Sequence, residues 1–296
     1  MFAILGLFGL ALSAVMWTGD EFGETDTADQ NATDAGTAQD DSTNEVITLN
    51  ELLDDGGSGV ADASDDDVIL FSGDADDQLS TGGGNDLVDG EDGNDTIDGG
   101  AGNDELHGGR GDDTVNGGDG DDAVYGHVGN DVLNGDAGND ALNGGSGDDV
   151  LNGGDGDDQM LGSLGNDTLI GGNGQDVMFG GSGDDVLDGR DDDSMDFVNG
   201  GAGDDILIAG VGDYLNGGDG ADLFSLGAET DAFVDDFDPD EDSIEVAYDA
   251  IGGEPVLRFI DGDDGVLLMA DNTAVATFAG LTALDLIDVP IVLTAM

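Results

Sequence analysis

From residue 72 to residue 188 the chain places a large apolar residue at every ninth position without a gap. The column reads Leu79, Val88, Ile97, Leu106, Val115, Val124, Leu133, Leu142, Leu151, Met160, Leu169, Met178 and Leu187. Glycine, aspartate and asparagine dominate the positions between, as in GGSGDDVLN (144–152) followed by GGDGDDQML (153–161). Numbered from the first glycine of each nonapeptide, the apolar residue is position eight, and thirteen units run in frame. Nine-residue spacing matches no helical face, and glycine is too frequent for a helix. A solvated acidic coil has no reason to keep such a column. The pattern predicts a six-residue turn followed by a three-residue strand, with position eight pointing inward because side chains alternate along a strand.

Other columns are as regular. Position six is aspartate in all thirteen units: Asp77, Asp86, Asp95, Asp104, Asp113, Asp122, Asp131, Asp140, Asp149, Asp158, Asp167, Asp176 and Asp185. A longer unit, GRDDDSMDFVN (189–199), then GGAGDDILI, a shortened AGVGDYLN and GGDGADLFS close the array at Ser225, with Asp205 and Asp222 at the sixth place of the two nine-residue units. Position four is glycine except at Ala75, and position five is nearly always Asp or Asn, residues that tolerate left-handed backbone. Position two departs from glycine at Glu91, His127, Asp136, Ser163 and Arg190. Those turns are expected to bind a ligand more weakly, and the coil around Arg190 to be irregular. Alternate units present two outer faces. Position nine of one reads Asp98, Asn116, Asn134, Asn152, Ile170 and Asp188; of the other, Asp89, His107, Tyr125, Asn143, Leu161 and Phe179. The second turns apolar and aromatic, which predicts packing against a flanking segment.

Charge narrows the partners. There are 71 acidic residues against three arginines, Arg110, Arg190 and Arg258, giving a formal charge of −68. No basic surface exists to replace the counterions of nucleic acid or to meet an anionic bilayer, and without lysine the glycine-rich loops are not Walker-type phosphate loops. The absence of cysteine excludes disulfides and thiolate metal sites. The two histidines, His107 and His127, cannot form an HExxH pair, and each is expected to face solvent rather than to act as a ligand. Cations remain as the partners.

The nonapeptide GGSGDDVLN resembles the GGxGxDxUx repeat of the RTX (repeats-in-toxin) family, a calcium-binding parallel β-helix signature. The resemblance implies an all-β fold: a calcium-stacked right-handed parallel β-roll (β-solenoid) with a small C-terminal β-rich cap. Each coil would take two nonapeptides. Each calcium would sit between turns of successive coils on one edge, with the position-six aspartates, Asp205 and Asp222 included, as metal ligands. The physics agrees with several calcium ions. One buried aliphatic side chain per nine ordered residues does not offset the chain entropy and the charge repulsion, so the metal-free repeat is expected to be disordered. Calcium accepts about six to eight oxygens from carboxylates and carbonyls, whereas magnesium demands a tighter octahedron.

The flanks divide the rest. Residues 1–18, MFAILGLFGLALSAVMWT, are apolar and uncharged, a signal or an anchor of borderline spanning length without a basic n-region. Residues 19–59 read as an acidic disordered linker, with ITLNELL (47–53) as a short strand or helical turn at its end. The roll is assigned to 60–225 and a β-rich cap to 226–296, where RTX proteins carry a type I secretion region. Strands are expected within 254–270 and 272–281. Asp236, Asp238, Asp240 and Asp242 have EF-hand-like spacing without that loop's glycine or final glutamate, a weak site at best.

The expected function is calcium binding by an exported, extracellular protein that folds on extracellular calcium and acts in a structural or interaction role, not as an enzyme. No separate catalytic domain has room, and 226–296 contains neither histidine nor cysteine. The expected partners are calcium, the type I secretion machinery and a cell-surface or glycan partner, with no nucleic acid and with membrane contact only through 1–18. The alternative is an accessory calcium-binding module of an adhesin or of an extracellular enzyme system.

Overall fold

The apolar column is the core. All thirteen position-eight residues are buried, and Val198, Leu207, Leu215 and Phe224 continue the column beyond the regular units. Alternation along the strand explains the pattern: Leu133 has no exposed surface, while Val132 beside it is 38 % exposed. The computed structural model describes residues 45–48, 58–60, 67–190, 194–227, 229–251 and 253–295.

The strands are longer and the turns shorter than the sequence pattern predicts. Val132–Ala137, Ala141–Ser146, Val150–Asp155 and Gln159–Leu164 each have six residues. Each runs from position seven of one unit to position three of the next, leaving positions four to six as the turn. The position-one and position-two glycines therefore lie inside strands. They serve close backbone approach rather than chain reversal: a β-carbon at Gly99 would stand 2.5 Å from Asp104 Oδ2 and 2.8 Å from the Gly117 carbonyl oxygen.

Successive strands alternate between two sheets, so one coil takes two units. Each strand pairs in parallel with the strand one coil further on, Leu133 opposite Leu151 and Leu142 opposite Met160. The result is an all-β solenoid of two sheets, with 14 and 12 strands. The irregular units change the spacing and keep the register. Val177 lies opposite Phe197, and Phe197 opposite Tyr214. The added and missing residues are taken up in the turns, because a one-residue slip in the strand would turn the core side chains outward.

The roll extends beyond both boundaries assigned from sequence. Glu45–Thr48, inside the segment read as linker, pairs in parallel with Val68–Phe71, and Ser58–Val60 pairs with Gln78–Ser80. Past Ser225 the sheets gain Ala232–Val234 and Ser243–Tyr248. The larger sheet is then finished by the antiparallel strands Thr273–Ala279, Gly265–Ala270 and Leu257–Asp261, and the smaller by Ile291–Ala295, parallel to Ser243–Tyr248. Leu286, between these strands, is buried in the end of the core. The segment 1–18 lies outside the described residues. Among those described, no helix is long and apolar enough to cross a membrane.

The aromatic face also differs from the position-nine reading. Phe179 meets Phe197 at 5.7 Å between ring centroids, Phe197 stacks on Tyr214 at 5.4 Å, and Tyr214 on Phe233 at 5.2 Å. The last three occupy position seven. The units of altered length obscured their common frame, which the strand register restores.

Because each core residue contacts mainly its own coil and its neighbours, Leu133→Ala is expected to cost about 2–5 kcal/mol in the fully folded roll. Val150→Ala, on an exposed face, should cost less than about 1 kcal/mol. Equilibrium denaturation of the two variants checks this.

Candidate metal centre

Position six sits where the three-residue turn re-enters a strand, and the turn aims its carboxylate along the roll axis. The Asp131 backbone N–H donates to Asp149 Oδ1 at 2.8 Å, and the Asp149 N–H donates to Asp167 Oδ1 at 2.8 Å. Every carboxylate from Asp86 onward thus reaches back one coil and accepts a backbone N–H there. Two such rows run along the two edges. One links Asp77, Asp95, Asp113, Asp131, Asp149, Asp167, Asp185, Asp205, Asp222 and Asp242. The other links Asp86, Asp104, Asp122, Asp140, Asp158, Asp176, Asp196 and Asp213. The structure brings all fifteen aspartates singled out from sequence into these rows, between 1 and 3 % exposed.

Asp196, Asp213 and Asp242 are also members, and the sequence reading did not place them in the position-six column. The unit length changes around them. One signal survives: each precedes a core residue by two positions, Val198, Leu215 and Ile244 respectively.

The second carboxylate oxygen is the unusual atom. From Asp86 through Asp167, and in Asp185, Asp205 and Asp222, Oδ2 is buried; setting Asp176 aside, none of these oxygens has a hydrogen-bond partner. A buried acceptor in that state is costly, and more so when charged. Burial accordingly pushes the carboxyls from Asp95 through Asp167, and those of Asp185, Asp205 and Asp222, upward, outweighing the lowering effect of the backbone N–H, with neighbouring aspartates adding to the rise. Asp95, Asp149, Asp158 and Asp205 reach about 7, and Asp104, Asp131, Asp140, Asp185 and Asp222 about 6.

What faces Oδ2 is more oxygen. The position-one carbonyl of the next coil borders the same small space, which a β-carbon at Gly99 would fill. The carbonyls of Gly82 and Gly84 point at the backbone of Gly100 and Gly102 one coil on, where a side chain would collide with them. The Gly102 backbone has φ 132°, a conformation that glycine adopts without penalty. Among the described residues no three His, Cys, Asp or Glu side chains converge on one point, so backbone carbonyls must complete any site here. One carboxylate oxygen with surrounding carbonyls is the donor set of a hard cation. Calcium, the group expected from sequence, fits it.

The ends of the rows are closed differently. At the N-terminal end, position one is Ser72 and Thr81, whose hydroxyls donate to the carbonyls of Gly90 and Gly99 at 2.7 and 2.9 Å. Side chains there fill the space that glycine leaves open beside Asp104. At the C-terminal end the backbone satisfies both oxygens. Asp213 accepts from Asp196 N–H at 3.0 Å and Gly210 N–H at 2.5 Å, and Asp242 from Asp222 N–H at 2.9 Å and Asp238 N–H at 2.7 Å. Asp236 is spent on the N–H groups of Gly217 and Gly218, at 2.9 and 2.7 Å. The run Asp236–Asp242 therefore braces backbone, and its side chains do not assemble an EF-hand-like loop.

Position five acts otherwise than expected. Its residues do not take a left-handed backbone. Instead their side-chain oxygens accept the N–H of the next coil's position five, as Asp148 does from Asn166 and Asn130 from Asp148, both at 2.8 Å. The left-handed conformation belongs to position two, where Glu91, His127, Asp136 and Ser163 keep φ of 66°, 77°, 70° and 82°. The substitutions thus preserve the local path of the chain.

A family model of the RTX calcium-binding nonapeptide repeat matches residues 55–88, 71–106, 99–133, 125–160, 134–169, 161–195, 196–213 and 212–232, together more than half of the chain. No curated protein matches it.

The raised carboxyls give the metal-free fold a pH dependence of definite sign. A carboxyl with a folded pKa above its unfolded value binds its proton more tightly when folded. Stability is then gained as pH falls through about 7 to 6 towards the unfolded range near 4, and lost as pH rises. In chelator, far-UV circular dichroism should show more β structure at pH 5 than at pH 8.

Proposed function

This chain belongs to the RTX calcium-binding nonapeptide repeat family, and from that premise we propose that calcium is the agent of its folding. The chain binds calcium, at several sites along the roll. In our reading the ions lie at the rungs between the closed ends, from Asp95 to Asp222 in one row and from Asp104 to Asp158 in the other. The observation that carries this is the buried Oδ2, repeated at rung after rung against carbonyl oxygens. Oδ1 ties each turn to the previous coil, the position-one glycine keeps the space beside Oδ2 open, and the neighbouring carbonyls supply the remaining oxygens. When bound, calcium supplies the positive charge that these oxygens otherwise lack. Asp77 and Asp86, at the rungs with Ser72 and Thr81, act in this proposal as row ends rather than as full sites.

The biological reading follows from the energetics. At low calcium the acidic chain remains unfolded and exportable, with 226–296 addressing the type I secretion machinery. Outside the cell, calcium folds it. A structural or interaction role fits better than catalysis, because the buried polar groups form one repeated rung rather than a single distinct constellation.

The test is far-UV circular dichroism of the full chain titrated with calcium, with magnesium as control. A cooperative gain of β signal with calcium alone is expected. A spectrum already β-rich in excess chelator at pH 8 would defeat the proposal. Asp140→Asn, which keeps the Oδ1 acceptor and removes the charge, should raise the calcium midpoint, by about tenfold at that rung. Asp86→Asn should leave it close to that of the parent.

A further inference from the structure

The only two histidines in the chain touch each other. His107 is position nine of the strand Glu105–Arg110, and His127 is position two within Ala123–Val128. Nδ1 of His107 lies 2.9 Å from Nε2 of His127, and Nε2 of His107 lies 3.3 Å from Glu105 Oε1. The Tyr125 ring stacks on His107 at 4.8 Å with planes 9° apart. Asp89 stands opposite His107 on the neighbouring strand. All of this lies on the outer face of one sheet, away from the edges that carry the aspartate rows.

The backbone at His127 makes the contact informative. Its φ of 77° is left-handed, and its partners in register, Gly109 and Gly145, are glycines. An imidazole at this place costs strain that glycine avoids, as the side chains of Glu91, Asp136 and Ser163 do at the same position of their coils. Burial and the neighbouring His107 hold the His127 imidazole below its usual range, Asp89 opposing, which favours the neutral ring that ligates metals.

We infer that His107 and His127 form a second kind of metal site, for a borderline divalent transition-metal ion such as Cu²⁺ or Ni²⁺, separate from the oxygen-only rungs. Imidazole nitrogen suits these ions, whereas carboxylate and carbonyl oxygens suit calcium. With metal–nitrogen bonds of about 2.0–2.1 Å, two ligands at right angles stand roughly 2.9 Å apart. That matches the present Nδ1 to Nε2 separation. Donation of His107 Nε2–H to Glu105 leaves the Nδ1 lone pair directed at His127, the arrangement that orients metal-ligating histidines. His127 moves its Nε2 proton to Nδ1, and the ion takes that proton's place between the rings as each turns about its soft χ2 torsion. No net proton is lost. Among the described residues no third side chain converges on the pair, so water completes the shell, with Asp89 in register beside His107 on the neighbouring strand. The negative field of the chain concentrates cations at its surface.

The proposal rests on the fold and not on calcium at the rungs. Its test uses the full chain in excess calcium, with Cu²⁺ added below one equivalent and read by electron paramagnetic resonance. Nitrogen splitting from two imidazoles is expected. His107→Asn should reduce it to one nitrogen and His127→Gly should do the same, while the β signal of both variants persists. His127→Gly restores the residue that neighbouring coils use, so loss of fold does not confound it. An oxygen-only spectrum, or a two-nitrogen spectrum that survives either substitution, would overturn the inference.

Discussion

The structure depends on a buried carboxylate with two different oxygens. At each regular rung, Oδ1 accepts a backbone N–H from the preceding coil, while Oδ2 is buried among carbonyl oxygens. The first interaction holds the coils in register. The second sets a physical demand, because a buried negative charge is costly until a cation balances it or a proton removes it. The other columns adapt to this pair of demands. Position one is glycine to keep the space beside Oδ2 open, positions two and four let neighbouring coils approach, and position eight supplies the apolar filling between the sheets.

That arrangement makes the molecule quasi-one-dimensional, with each coil answering to its neighbours only. Two irregular units are tolerated for the same reason. Their turns absorb a change of length, and Val177, Phe197 and Tyr214 still meet across the sheet. The ends need separate treatment, since a rung without a following coil lacks half its partners. Ser72 and Thr81 fill the first spaces with hydroxyls, and backbone N–H groups satisfy both oxygens of Asp213 and Asp242. The C-terminal strands then close the core.

Edges and faces carry different chemistry because of strand alternation. Position eight points in, positions seven and nine point out, and the turn holds position six at the edge. Hard oxygen donors are therefore segregated to two rows. The aromatic ladder and the histidine pair are displayed on one sheet, where the strand spacing brings residues about a coil apart into contact.

Much was legible in the sequence because a period of nine repeated thirteen times overwhelms local ambiguity. The core column and the aspartate column could be read from the chain alone, since each follows from residue type at a fixed spacing, and the all-β solenoid and the calcium-binding family followed from the resemblance that those columns carry. The lengths of strand and turn could not. Glycine at positions one and two looks like a turn former, and only the coil one turn away shows that it is there for close approach within a strand. Asp196, Asp213 and Asp242 were hidden by changes in unit length that the strand register later cancels. The same holds for Phe197, Tyr214 and Phe233. Position five was credited to backbone conformation when its side chain in fact bonds the next coil. His107 and His127, twenty residues apart, meet only because a coil takes eighteen residues and places position two of one coil beside position nine of the one before. A periodic sequence determines which residues share a column. Which columns touch, and which oxygens are left without a partner, is decided by the stacking of coils.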